Sequence, residues 1–136
     1  MKSAALGIGV FVLYALGACR TIYVGDSGEL VAAVHTLGVP HPSGYPLYVL
    51  LGKLWTLIVP VGSIAFRMSL FSAACAAIGV ALLHRLAREI GLGSAASVTA
   101  ALLLAVSPSF WGEANVQRVY ALNAVFVVLA ATHAVR

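Results

Sequence analysis

Met68-Ser-Leu-Phe-Ser-Ala-Ala-Cys-Ala-Ala-Ile-Gly-Val-Ala-Leu-Leu83 carries no charge, while Arg67 stands directly before it and Arg85 and Arg88 come close behind. A long uncharged apolar run with arginines at its ends reads as a candidate transmembrane helix. The composition around it agrees. Of the 136 residues, 62% are hydrophobic and 9% charged, against about 45–50% and about 25% in a typical soluble domain. The mean hydropathy of +1.03 leaves too few polar side chains to wrap a water-soluble core. The net charge of +4 rests on eight Lys/Arg against four Asp/Glu, too few for a nucleic-acid surface. Those charges read instead as a topology signal in an integral membrane polypeptide. Cys19 and Cys75 lie in apolar segments without the paired spacing of a zinc or redox site, and read as small packing residues.

Other apolar runs extend the pattern. Ala4 to Cys19 comes after Lys2 and ends at Arg20; with Ser3 and the Thr21-Ile22-Tyr23 flank it reaches spanning length. Leu16-Gly-Ala-Cys19 also has the look of a lipoprotein cleavage box, but the chain beyond Cys19 reads as multipass rather than as a soluble passenger, so a retained helix is expected. Ala95 to Val106 with its flanks and Tyr120 to Val135 are further candidates. Tyr45 to Val59 differs: it contains Lys53, is bracketed by Pro46 and Pro60, and spaces Tyr45, Tyr48, Gly52, Lys53 and Thr56 by helical steps. That narrow polar stripe predicts an interfacial or re-entrant helix rather than a span.

Charge placement then selects an all-α, multipass bundle of about four spans, near 4–22, 67–84, 94–110 and 120–135, with juxtamembrane helices in an outer loop over 23–66. This arrangement puts Lys2, Arg85, Arg88 and Arg136 on the cytoplasmic side, and Asp26, Glu29, Glu113 and Arg118 on the outer side, periplasmic or lumenal. Small residues four apart (Ala5/Gly9, Ser72/Ala76, Ala73/Ala77, Ala96/Ala100, Ala101/Ala105) predict closely packed helices. Residues 1–136 read as one unit, with no repeat or linker.

Between Arg20 and Pro46 the chain changes character. This segment holds Asp26, Glu29, His35 and His41, half of the acidic residues and half of the histidines. Acidic groups are costly beside a bilayer and are usually kept for a task. One such task is structural: Asp26-Ser-Gly-Glu29 has the spacing of a capping box that would open a helix from Ser27 to Leu37. Capping does not explain the adjoining Pro40-His41-Pro42-Ser-Gly-Tyr45-Pro46, whose prolines stiffen the backbone. An acid and a titratable ring on one membrane face suit proton transfer beside an anionic ligand. A second polar island runs from Ser107 to Tyr120. In it Pro108 ends a span, Trp111 and Tyr120 can anchor at the interface, and Arg118 can either snorkel to the surface or pair with a phosphate.

Gly25-Asp-Ser-Gly-Glu-Leu30, Leu37-Gly-Val-Pro-His-Pro-Ser-Gly-Tyr-Pro-Leu47 and Leu51-Gly52 resemble the N-terminal signature of protein O-mannosyltransferase-like membrane proteins. Ser107-Pro-Ser-Phe-Trp111 and Val119-Tyr-Ala-Leu-Asn123 resemble the next block of the same family. The resemblance implies a GT-C glycosyltransferase fold and an inverting transfer of a sugar, mannose-like, from a polyprenyl-phosphate carrier to a hydroxyl of a protein or glycan acceptor. It implies Asp26 as general base, Glu29 as its support or as a residue that orients the acceptor, and His41, Tyr45 and Arg118 as contacts to the carrier phosphate. Membrane lipid and the lipid-linked sugar are the implied partners, with no cofactor. No metal-ligand cluster is visible in the sequence, and metal independence is expected.

Two departures stand beside the resemblance. Family members carry an acid immediately before the Val-Tyr pair where this chain has Arg118, so that Glu113 takes over the acidic role or the contact is absent. Family members also continue for several hundred residues, so an N-terminal portion, either a fragment or a truncated product, is expected. The competing reading is a non-catalytic membrane subunit or a lipid-binding or transport module.

Overall fold

The computed structural model describes residues 3–136, so Lys2, one of the charges used to orient the chain, lies outside the described residues. The described chain is all-helical: α1 Ser3–Gly17, α2 Ser27–Thr36, α3 Pro46–Ile58, α4 Ile64–Glu89, α5 Ser94–Val106, α6 Pro108–Ala114 and α7 Tyr120–Ala134.

The expected four spans are not there. Among the described residues only α4, 26 residues long, is long and apolar enough to cross a membrane; α5 and α6 pass the same test only when taken together, and they are bent by 65° at their junction. The remaining apolar helices, α1, α3 and α7, have 15, 13 and 15 residues. At about 1.5 Å per residue a 15-residue helix is roughly 22 Å long, against a hydrocarbon core of about 30 Å. The cause is where backbone pairing stops. The span expected over 4–22 ends at Gly17, because the Cys19 N–H turns away to the Asn115 carbonyl at 2.8 Å. The span expected over 94–110 breaks at Ser107, since Pro108 opens α6 and has no N–H to continue α5. The 23–66 segment does contain two helices, α2 and α3.

α4 is the axis, and each of the other helices packs against it. Its small face makes this possible: Ser72, Ala73, Ala76 and Ala77 are buried, as are Ala101 and Ala105 of α5. A Cβ added at Gly7 of α1 would stand 3.1 Å from Ala81 Cβ, so α1 and α4 meet nearly backbone to backbone. The Ala5/Gly9 pair, by contrast, is exposed and packs no helix.

α3 is oriented with its less apolar stripe inward. Tyr48, Gly52 and Thr56 are buried, while Leu47, Leu50, Leu54, Leu57 and Ile58 are exposed. Close approach fixes that face: a Cβ at Gly52 would lie 2.8 Å from Met68 Cε and 3.0 Å from Val34 Cγ2. Polar ties complete it, with Lys53 Nζ donating to the His35 carbonyl at 2.6 Å and Trp55 Nε1 to the Arg67 carbonyl at 2.8 Å.

The bundle has two chemically different ends. At one, Glu89 accepts from Arg85 at 2.8 Å and from Arg136 at 2.8 Å, and Ser3 Oγ meets His84 Nδ1 at 2.8 Å. These contacts gather the start of α1 with the ends of α4 and α7. At the other end lie the 18–26 segment, α2 and the α6–α7 connection.

Candidate functional site

The second end is held together by Gln117, which is completely buried. Its Nε2 lies 3.0 Å from the Thr21 carbonyl, 3.1 Å from the Ala65 carbonyl and 2.7 Å from Ser69 Oγ, while its Oε1 accepts from the Tyr23 N–H at 3.1 Å. The backbone carbonyl of Gln117 accepts from Ser27 Oγ at 3.1 Å. One residue therefore fixes the chain on both sides of Asp26 and immediately precedes Arg118. The sequence reading passed over Gln117. The signal was the chain's single glutamine, set between Asn115 and Arg118 in the second polar island, a residue that must find partners if buried.

Asp26 sits at the start of α2 but does not cap it. Its backbone is in the helical region (φ −73°, ψ −5°) and its side chain makes no capping hydrogen bond; an N-cap side chain normally projects from extended backbone. Asp26 Oδ2 instead stands 3.6 Å from Arg118 Nη1, with the Asp26 side chain 54% exposed and Arg118 only 20%. Arg118 Nη2 also donates to the Val24 carbonyl at 3.0 Å. Gly25 makes room for this: its φ is +76°, and a Cβ there would meet Arg118 Nη2 at 2.7 Å.

Glu29, the other half of the expected capping box, reaches across to the proline-rich loop. Its Oε1 accepts from the His41 backbone N–H at 2.6 Å and its Oε2 pairs with His41 Nδ1 at 2.8 Å. The His41 side chain in turn packs edge-on against Tyr45, ring centroids 5.5 Å apart. The side-chain hydrogen bond to His41, and then that from its backbone N–H, hold the Glu29 carboxyl below the usual carboxylate range. The same side-chain bond, aided by the charges of Glu29 and Asp26, lifts His41 above its ordinary 6.5. The charged pair is complete above the depressed Glu29 value and below the raised His41 value. It is lost upward as His41 deprotonates and downward as Glu29 protonates. Glu29→Gln should therefore bring the His41 titration down toward its ordinary value, read by histidine ring NMR. A His41 that titrates as before would mean that the contact is not formed in solution.

The sequence-expected residues thus fall into two adjoining groups, Asp26 with Arg118 and Glu29 with His41 and Tyr45. Beside them, Tyr45, Pro46 and Tyr48 from one sequence block and Val119, Tyr120 and Asn123 from the other line a cavity of about 380 Å³. Among the described residues no group of three or more His, Cys, Asp or Glu side chains is placed to hold a metal ion.

Comparison with known proteins covers both sequence blocks. The family described as the Protein O-mannosyl-transferase TMEM260 N-terminal domain matches residues 26–136. The mouse protein O-mannosyl-transferase TMEM260 is 35% identical over 134 residues, covering 98% of this chain and 19% of that protein. The Dictyostelium discoideum protein O-mannosyl-transferase tmem260 is 27% identical over 126 residues, covering 91% of this chain and 15% of that protein. The chain spans less than a fifth of the length of these curated relatives. No solved structure matches. Since the family match begins at Asp26 and takes in every residue of both groups, the chain belongs to the family of the protein O-mannosyl-transferase TMEM260 N-terminal domain.

Proposed function

We propose that this chain forms the N-terminal part of a membrane mannosyltransferase, which moves a mannose-like sugar from a polyprenyl-phosphate carrier to an acceptor hydroxyl on the outer or lumenal side. The observation that carries the reading is the Asp26–Arg118 pair, built from two distant sequence blocks at one end of the bundle. The names of the relatives supply the sugar.

In the proposed step the acceptor oxygen attacks the anomeric carbon and its proton passes to the Asp26 carboxylate. The bond from the anomeric carbon to the phosphate oxygen breaks, its electron pair stays on the phosphate, and the configuration inverts. The leaving phosphate gains negative charge, for which Arg118 and protonated His41 are the available cations. Glu29 acts through His41, holding its ring and its charge. Tyr45 buttresses that ring, and the neighbouring cavity suits the first apolar units of the carrier.

The direct test uses the full-length protein containing this segment in nanodiscs, with radiolabelled polyprenyl-phosphate mannose and a Ser/Thr acceptor peptide. Label on the peptide is the expected result. Transfer from a nucleotide sugar alone would reject the lipid donor, and carrier binding with no transfer from either donor would favour a lipid-binding module. Sidedness is checked separately. A cysteine at exposed Val24 should react with an impermeant reagent from the outer or lumenal side, and one at exposed Ile90 only after permeabilisation. The reverse pattern would overturn the orientation.

A further inference from the structure

Away from Asp26, the other end of the bundle gathers Arg85, Arg88 and Arg136 around one acid, Glu89. Glu89 accepts from Arg85 Nε and from Arg136 Nη2, each at 2.8 Å, so its carboxylate is already occupied. Arg88 Nη1 donates to the Leu92 carbonyl at 2.7 Å. Arg85 and Arg88 are both exposed, and among the described residues the rest of their N–H groups meet no acceptor. The other acids of the chain, Asp26, Glu29 and Glu113, stand at the opposite end. This end therefore carries uncompensated positive charge.

A cavity of about 360 Å³ leads into it along the seam of α1 and α4. Gly7 and Phe11 wall one side and Ala74, Ala77 and Ala81 the other, with Trp55 of α3 also in the lining. From Ala74 to Ala81 the cleft follows α4 for about 10 Å. Its lining offers no free polar group, since the Trp55 N–H already donates to the Arg67 carbonyl at 2.8 Å. The floor is closed where α1 and α4 touch, a Cβ at Gly7 standing 3.1 Å from Ala81 Cβ. A helix is about 10–12 Å across with its side chains and cannot enter between them. A single hydrocarbon chain can.

Counting on from Ala74, Ala77 and Ala81 by helical steps of three and four reaches Arg85 and Arg88. Both arginines therefore prolong the face of α4 that walls the cleft. An apolar channel that ends at exposed guanidinium groups matches the order of a phospholipid, acyl chain first and phosphate after it. A free phosphate would satisfy the arginines and leave the cleft empty, and an uncharged lipid would do the reverse.

We propose that one acyl chain of an anionic glycerophospholipid lies in this cleft, with its headgroup phosphate on Arg85 and Arg88. Arg118 lies beside Ser72 of α4, roughly 20 Å along the helix from Arg85. The phosphate placed here is thus a different one from any bound at the Asp26 end, and its binding does not depend on sugar transfer.

Trp55 reports on the cleft. The full-length protein in phosphatidylcholine nanodiscs is titrated with phosphatidylglycerol brominated in mid-chain, and the Trp55 signal is the difference from a Trp55→Phe control. Brominated phosphatidylglycerol should quench it at about tenfold lower mole fraction than brominated phosphatidylcholine does. Arg85→Gln combined with Arg88→Gln should abolish that preference. Ala74→Phe, which fills the cleft from a half-buried position, should do the same, and it decides the matter if the arginine variant fails to fold. Equal quenching by the two lipids reduces the cleft to ordinary bilayer contact and overturns the proposal. Absence of quenching by either means that another part of the full-length protein covers the cleft, which also overturns it. So does displacement of phosphatidylglycerol by polyprenyl phosphate at equal mole fraction, or a preference that survives these substitutions.

Discussion

With Asp26 as the proposed general base, Asp26→Asn in the full-length protein is expected to lower the rate of sugar transfer by about 10²–10⁴-fold, the usual contribution of a positioned base. The substitution preserves shape and leaves an oxygen for Arg118, but an amide cannot take the acceptor's proton. Folding should be spared, because the side chain is 54% exposed and makes no capping bond. Initial transfer rates on membranes with matched protein levels decide the matter. A variant that transfers at the original rate takes Asp26 out of the mechanism and leaves the Asp26–Arg118 pair a structural contact.

The second large effect is on the framework. Gln117→Leu removes every side-chain bond that Gln117 makes, leaving the Tyr23 N–H without its partner and Ser69 Oγ without its donor. Buried groups left unpaired cost about 1–3 kcal/mol each, so a loss of roughly 2–4 kcal/mol is expected. In a domain of this size that corresponds to a fall in melting temperature of about 10 °C. Thermal unfolding in a mild detergent measures it. An unchanged melting temperature would show that the 18–26 segment is held by other contacts. Transfer activity should fall with stability, because the segment released is the one that carries Asp26.

Helix as the only regular element among the described residues was legible in the sequence, and so was the run that becomes α3, expected over Tyr45–Val59 and found over Pro46–Ile58. The number of spans was not. Hydropathy records where apolar residues lie, whereas a helix ends where its backbone finds other partners. α1 stops at Gly17 because of Asn115, which is far away in sequence: a Cβ at Gly17 would stand 3.3 Å from Asn115 Nδ2. The candidate site was legible as residue types but not as pairs. The spacing of Asp26 and Glu29 suggested that they bond to each other's backbone. In the fold each reaches a different loop, and neither Arg118 nor His41 could be matched to its acid without the tertiary structure. Gln117 was missed for the same reason, since an amide's importance depends on what surrounds it.

α3 has a further consequence. For most helices on a protein's surface, water itself supplies the attachment, by expelling an apolar face onto the core. α3 turns much of its leucine outward, so the solvent pulls on the wrong side. What keeps α3 in place is the burial of Tyr48 and Val49, the packing of Tyr48 and Trp55 on Phe71, the close fit of Gly52 against Met68 and Val34, and the bonds from Lys53 and Trp55. Those contacts hold while the medium around the leucines is oily, and they are opposed once it is aqueous. An oily medium around those leucines therefore favours the docked helix beside the Tyr45 end of the site more than an aqueous one does.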